Sequence, residues 1–261
     1  MNATSAAAAA HEIIAVRYGT VRSTKSDLFL RYGAYREPDV RQDMDFYFYV
    51  LRRDGEVTLI DTGFLPADAA ARGRECLIAP HEALAALGIE PASVARVIVT
   101  HCHWDHIGNL DLFGHADLHV PGRELDFWLT PAARNVQFWS HTETHAIEAL
   151  EQARAQQRVR ATAADEEVIP GVRVITVGGH SPGQQIVVVD GRVILASDAV
   201  HLYEELELER PFGVIANLLE MVEAYGLIKE LAAEHGAVVV PGHDPLVVER
   251  FPAEGFAVRI A

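Results

Sequence analysis

The sequence predicts an α/β chain in which mixed β-sheets are covered by helices. Three observations carry this. Short β-branched runs bounded by turn residues recur along the 261 residues. The early runs are joined by hairpin signals, whereas later ones alternate with helical stretches. The composition, 49 % hydrophobic and 23 % charged with mean hydropathy +0.08, leaves no room for a disordered, collagen-like or coiled-coil organisation.

Taken in order, residues 46–51 and 57–60 form two strands, with Arg52-Arg53-Asp54-Gly55 as the hairpin turn between them. A helix over 80–87 opens with Pro80, where a missing N–H costs nothing, and closes before Gly88. The apolar run 94–99 is a strand. A long helical stretch, continuous or broken, covers about 131–158. Strands follow at 172–177, 185–189 and 193–196, the last two joined by Asp190-Gly191. A helix over 215–235 stops at Gly236, and a strand over 237–240 comes after it.

At about 150 residues per domain, this length suits one large domain or two fused halves. No low-complexity linker divides the chain. The pattern of a strand followed by a histidine-bearing loop recurs at Gly178-Gly179-His180, so a single domain over 13–261 is expected, built from two halves that meet near residue 165. Residues 1–12, with an alanine run and no basic start, read as a frayed tail rather than a signal peptide.

The charge balance, 22 Lys+Arg against 37 Asp+Glu, gives −15 and a pI near 5.2. A nucleic-acid binder needs a basic surface, and no basic run exists here. Two cysteines, Cys76 and Cys102, cannot build a disulfide framework, which suits a reducing compartment and a cytoplasmic setting. No apolar stretch reaches the roughly 18 residues of a membrane span.

The chemistry concentrates at Thr100-His101-Cys102-His103-Trp104-Asp105-His106. Imidazole nitrogen and carboxylate oxygen are what zinc and similar divalent ions bind. At a strand end, residues two apart point the same way, so His101 and His103 can share one ion. Asp105 and His106 sit where the chain turns and can face a second. Gly108 is expected to give the backbone freedom to leave that turn. His-rich loops can also be solvated surface, but four potential ligands within six residues after an apolar strand favour a metal site.

His-x-His-x-Asp-His after an apolar strand resembles the signature of the metallo-β-lactamase superfamily. Further segments match that family's pattern in order: Leu59-Ile60-Asp61-Thr62-Gly63 upstream, then His180 in Gly178-Gly179-His180-Ser181-Pro182-Gly183-Gln184, Asp198 in Leu195-Ala196-Ser197-Asp198, and His243 in Pro241-Gly242-His243-Asp244. The resemblance covers roughly residues 45–245. It implies an αββα sandwich, two mixed β-sheets flanked by helices. It also implies two divalent metal ions per chain, zinc in the first instance, with manganese, iron or cobalt as alternatives. His101, His103 and His180 would hold the first ion, Asp105, His106 and His243 the second, and Asp198 would bridge them. Asp61 would orient a ligand histidine through a hydrogen bond. Five neutral imidazoles and two carboxylates leave such a pair of ions net positive, which lowers the pKa of bound water to roughly 7. The other histidines, among them His11, His119 and His141, read as surface or core residues.

Within that superfamily, Asp198 stands where the thiolate-containing β-lactamases carry Cys, and it bridges where another dinuclear lactamase subclass has no such residue. The acidic balance denies a nuclease its basic exosite. After Val238 only Arg250 and Arg259 are basic, against the glutathione-binding cluster of glyoxalase II-type thioesterases. His103 occupies a position where flavodiiron proteins have Glu. The segments 44–49, His180-Ser181-Pro182-Gly183-Gln184 and Ser197-Asp198-Ala199 are similar to the N-acyl homoserine lactonase branch. This implies a carboxylic ester hydrolase, with quorum quenching as its setting, that opens a lactone ring by attack of a metal-bridging hydroxide. Asp105 would pass a proton to the leaving alkoxide.

These lactonases commonly carry tyrosine three residues after the bridging Asp. Here that position is His201 and the nearest tyrosine is Tyr203, so either could bond the oxyanion. Phe212 and Trp139 are candidates for an apolar substrate wall. Organophosphate or aryl ester hydrolysis, an iron sulfur-dioxygenase and a non-catalytic sensor stay open as alternatives, and a homodimer is implied by the resemblance alone.

Overall fold

A strand covered on both faces shows an unbroken apolar run instead of alternation. Met44–Arg53 is such a strand: its first eight residues are all buried. Phe46, Phe48 and Val50 point into one core, while Tyr47, Tyr49 and Leu51 point into another. The computed structural model, which describes residues 10–261, shows how that comes about.

The strands are β1 (Glu12–Val21), β2 (Met44–Arg53), β3 (Glu56–Ile60), β4 (Glu75–Cys76), β5 (Val94–Ile98), β6 (Asp117–Pro121), β7 (Val159–Thr162), β8 (Asp165–Ile169), β9 (Val172–Thr176), β10 (Gln185–Val189), β11 (Val193–Ser197), β12 (Val238–Pro241), β13 (Ala253–Glu254) and β14 (Ala257–Arg259). The first sheet runs β13-β14-β1-β2-β3-β5-β6-β7, with β4 also paired to β1; the second runs β12-β11-β10-β9-β8. Both are mixed. β3, β5, β6 and β7 pair in parallel beside antiparallel β1, β2 and β14, and the parallel pair β11–β12 flanks an antiparallel meander.

Three cores separate four layers. Val16, Leu59, Val97 and Leu118 pack the first sheet against helices that include Pro80–Ala86 and Thr144–Ala155. Ile13, Ile60, Ile98, Val187 and Leu195 fill the space between the sheets. Ile186, Ile194, Met221, Tyr225 and Ile228 pack the second sheet against helix Leu218–His235. The architecture is therefore the expected αββα sandwich. The change of sheet falls between Thr162 and Asp165, and the terminal β13–β14 hairpin returns to the first sheet.

The hairpin turns are where the sequence places them. Asp54 and Gly55 both have positive φ, as do Asp190 and Gly191, the conformation that closes a two-residue hairpin. The long stretch 131–158 is broken into a 3-10 turn (Pro131–Arg134), a short helix capped by Asn135 (Val136–Trp139) and helix Thr144–Ala155. Of the expected tail, residues 1–9 lie outside the described residues. The rest differs from expectation: His11 is buried against Asp190 (2.7 Å and 2.9 Å) and Glu12 opens β1. β1, β4, β6, β7, β8, β13 and β14 are strands that the pattern does not mark. β1 is buried on both faces, and the others are short and carry charged residues. Among the described residues no helix is long and apolar enough to cross a membrane.

Candidate metal centre

The loops that follow β3, β5, β9, β11 and β12 converge at the carboxyl ends of their strands, the place where open α/β sheets bind ligands. They bring Asp61, His101, His103, Asp105, His106, His180, Asp198 and His243 together, all buried. Two of these strand ends are strained. Asp61 (φ 62°) and Ser197 (φ 47°) adopt the left-handed conformation without being glycine, at a cost of about 1–3 kcal/mol each.

The potential ligand atoms form overlapping groups of three, one of them His180, Asp198 and His201, and two of the groups share no residue and leave Asp198 aside. Those of His101, His103 and His180 lie within 4.8 Å of one another, as do those of Asp105, His106 and His243. Asp198 stands between the groups. Its Oδ2 is 3.3 Å from His180 Nε2 and 3.8 Å from His101 Nε2, and its Oδ1 is 3.2 Å from His106 Nε2 and 3.1 Å from His243 Nε2. Tetrahedral zinc with bonds near 2.05 Å sets neighbouring ligand atoms about 3.3 Å apart. The donor set therefore suits two ions sharing a carboxylate.

The far ring nitrogens are held by the protein, which aims the near ones inward. His106 Nδ1 donates to Asp61 Oδ2 (2.8 Å), His243 Nδ1 to the Asp45 carbonyl (2.8 Å) and His180 Nδ1 to the Val214 carbonyl (3.0 Å). The buried Nε2 atoms of His101 and His106 have no hydrogen-bond partner. Bare buried nitrogens facing a carboxylate are what a metal ion would satisfy. Burial and neighbouring imidazoles push His101 and His103 well below the usual histidine pKa, toward the neutral form that binds metal. Burial opposes charge on His106, yet Asp198, Asp105 and Asp61 outweigh it and raise its pKa well above the usual value.

Gly108 plays a different part from the one expected. Its φ of −64° is ordinary helix, so no special backbone freedom is used. A Cβ there would lie 2.8 Å from the carbonyls of Gly63 and Trp104, so the glycine allows the ligand loop to close on the turn after β3.

His201 and Tyr203 separate. His201 is buried in the centre, with Nε2 3.2 Å from Asp198 Oδ2 and Nδ1 3.1 Å from Glu205 Oε2. Burial lowers its pKa, but Asp198 and Glu205 outweigh that and raise it to about 9. Tyr203 instead lines a neighbouring cavity with Asp244, beneath the Arg250 guanidinium (3.6 Å). Phe212 stacks on His201, ring centroids 3.6 Å apart.

The centre opens into a cavity of about 630 Å³ walled by Leu28, Met44, Phe46, Trp104, Phe212 and Val214, with Arg22, Arg72 and Arg74 also on its lining. An adjoining pocket of about 370 Å³ shares His103, His141 and His180 and is walled by Trp128, Phe138, Pro182 and Ile215. Phe212 thus stands on the wall, whereas Trp139 does not: it packs under Arg134 (3.8 Å) while its neighbour Phe138 takes the wall. Glu124 and Glu205, both fully buried at the edge of the centre, have no mark in the sequence, and His141, read there as a surface or core residue, lines the cavity. None stands in a local pattern that ties it to the other site residues, and only the fold brings it to the site.

The chain is similar to known proteins in both sequence and fold. It is 30 % identical over 168 residues to the N-acyl homoserine lactonase AttM of Azorhizobium caulinodans, a match covering 61 % of this chain and 62 % of that protein's length. The crystal structure of a quorum-quenching N-acyl homoserine lactone lactonase superposes with a TM-score of 0.75 at 19 % identity, covering 95 % of this chain and 98 % of the other. AidC, a dizinc quorum-quenching lactonase, superposes with a TM-score of 0.71 at 16 % identity, covering 98 % and 95 %. These superpositions show a shared fold. A family model for the metallo-beta-lactamase superfamily matches residues 47–243, from β2 to the last histidine of the centre, and the chain belongs to that superfamily.

Proposed function

We infer that the chain is a dinuclear metal-dependent hydrolase that opens lactone rings, with N-acyl homoserine lactones as the first substrates to consider. One observation carries the reading: two groups of potential ligands divided by the two oxygens of Asp198, at the floor of a cavity with apolar walls. The lactonase names of the relatives point the same way. His101, His103 and His180 would hold one ion, and Asp105, His106 and His243 the other. Zinc suits this nitrogen and oxygen donor set, as does the dizinc content named for AidC.

When bound, such ions supply Lewis acidity and make water acidic near neutral pH. The residues of the chain do the rest. Asp45, Asp61 and the Val214 carbonyl fix ring orientation, so the centre is organised before substrate arrives. His201 lines the cavity and Tyr203 does not, which favours His201 as the group that would hydrogen-bond the substrate oxygen. Glu205 fixes its ring by accepting from Nδ1. Asp105 also lines the cavity and would take the proton given up by the attacking water and pass it to the departing ring oxygen. Leu28, Met44 and Phe212 supply apolar wall for an acyl substituent. Two free cysteines and no disulfide suit a reducing compartment such as the cytoplasm.

The test is proton release in a pH-stat from protein of known metal content. The panel runs from γ-butyrolactone through short- and long-chain acyl homoserine lactones, with paraoxon and a β-lactam as controls. Turnover of lactones by protein holding about two metals per chain is expected. Two bound metals with no lactone turned over would overturn the substrate class, and turnover of paraoxon alone would redirect it to phosphotriesters.

A further inference from the structure

The first ligand group is assembled from two loops on different sheets. His101 and His103 follow β5, whereas His180 follows β9. Between the loops stands Glu124, on helix Gly122–Trp128, with 0 % of its surface exposed. Its Oε2 accepts the Cys102 N–H (2.8 Å) and the Trp128 indole N–H (2.8 Å). Its Oε1 accepts the Ser181 hydroxyl (2.8 Å) and the Gly183 N–H (2.6 Å). Cys102 sits between His101 and His103, and Ser181 directly follows His180. One carboxylate thus grips both loops.

The surroundings are built for that grip. Three of the four donors are N–H groups that cannot accept, so both carboxyl oxygens are engaged as acceptors. A Cβ on Gly183 would lie 2.5 Å from the Glu124 backbone nitrogen and 2.9 Å from its Cγ, so the second loop reaches the carboxylate only as glycine. The Trp128 ring, held by the same carboxylate, stands edge-on to His103 at 5.8 Å between centroids.

We propose that Glu124 is a positioning residue for one metal ion: by clamping the His101–His103 loop to the His180 loop it sets the spacing of this imidazole triad. The proposal rests on the dinuclear reading above. Glutamine cannot replace the clamp. With its NH₂ at the Oε1 position it faces the Gly183 N–H, and at the Oε2 position it faces two N–H groups. The other ligand group has separate supports, Asp61 for His106 and the Asp45 carbonyl for His243, so it should feel little. Loss of an outer partner of a metal ligand typically lowers metal affinity 10- to 100-fold.

The test is cadmium-113 NMR of wild type and Glu124→Gln loaded with cadmium, together with chelator competition. The three-imidazole site and the site containing Asp105 differ in donors and give separate resonances. In Glu124→Gln the three-imidazole resonance is expected to move or vanish, with about a 10- to 100-fold loss of affinity at that site, while the other persists. Wild-type resonances and affinities at both sites would overturn the proposal. So would an equal loss at both sites with a lowered melting temperature, which marks a general scaffold residue. If Glu124→Gln does not fold, Ser181→Ala removes one donor of the four. A smaller loss at the same site then supports the clamp, and unchanged affinities refute it. Wild type binding fewer than two cadmium ions would refute the dinuclear reading itself, and the clamp with it, before any variant is compared.

Discussion

Replacing Asp61 by asparagine removes one charge and changes no shape, and the structure gives its consequence. Asp61 holds a left-handed φ of 62°, which asparagine tolerates as well as aspartate does, so the backbone should stay in place. Oδ1 accepts the Thr100 N–H (2.7 Å), while Oδ2 accepts the Thr100 hydroxyl (2.7 Å) and His106 Nδ1 (2.8 Å). An asparagine amide keeps the Thr100 N–H bond only with its oxygen at the Oδ1 position. Its NH₂ then faces His106 Nδ1. To accept from it, His106 must carry its proton on Nε2, the atom that points at Asp198. A proton there has to leave before a metal can bind. The bond lost is charge-assisted and worth about 1.5–3 kcal/mol, so affinity at the ion held by His106 should fall roughly 10- to 150-fold. Competition with a zinc chelator measures this directly, and circular dichroism checks that the fold is kept. An Asp61→Asn protein holding two ions at wild-type affinity would refute the reasoning.

Gly108→Ala places a methyl against three backbone atoms at 2.8–2.9 Å, none of which can swing away. A loss of about 1–3 kcal/mol is expected in denaturant unfolding; a neutral result would mean the ligand loop can open freely. Phe212→Ala unstacks His201 and should lower kcat/KM on a cleaved lactone about 2- to 10-fold, the worth of one aromatic pair, with metal content unchanged. Burial alone would raise the Asp190 pKa, but hydrogen bonds from His11 outweigh it and hold the carboxylate below its usual value. Its contribution to stability is then complete above about pH 4 and is lost as pH falls through the folded value. Asp190→Asn should therefore melt below wild type at pH 7, with the gap closing in acid. A gap that does not narrow between pH 7 and pH 3 would contradict this.

The candidate ligand residues are legible in the sequence because metal chemistry leaves few choices of residue type and because strand ends fix their spacing. His101 and His103 lie two apart after an apolar run, and the fold does point both at one place. The glycines were harder. Gly108 and Gly183 look like turn residues, but each is needed for what a Cβ would strike across the fold, which no local pattern encodes. Strands β1 and β2 show the same asymmetry. Both are covered on two faces; aromatics mark β2, while β1 is interrupted by Arg17 and Gly19 and adjoins the alanine-rich start, so no local pattern marks it. Glu124 and Glu205 could not be found at all from the sequence. A buried carboxylate is defined by its donors, and theirs come from residues up to 59 positions away.

The exchange of His201 and Tyr203 turns on one helix start. Helix Tyr203–Leu208 begins at the tyrosine, whose N–H is taken by Asp244 Oδ2 (2.7 Å), and the first turn carries the phenol away from Asp198 and under Arg250. The histidine, two residues earlier, is still in the loop. Its own N–H and its Nδ1 both meet Glu205 Oε2, while Glu205 Oε1 takes the Tyr225 hydroxyl (2.6 Å). The tyrosine therefore cannot reach the cavity by a small slip, since that would unwind a turn and strand a fully buried carboxylate. So the departure from the tyrosine pattern is a change of chemistry at the site and not a shift of register. A phenol offers one hydroxyl. An imidazole tied to Glu205 through Nδ1 offers only Nε2, a donor when protonated and an acceptor when not. With Nε2 3.2 Å from Asp198 Oδ2 and Nδ1 3.1 Å from Glu205 Oε2, whether this imidazole donates or accepts depends on a proton that the two carboxylates jointly govern.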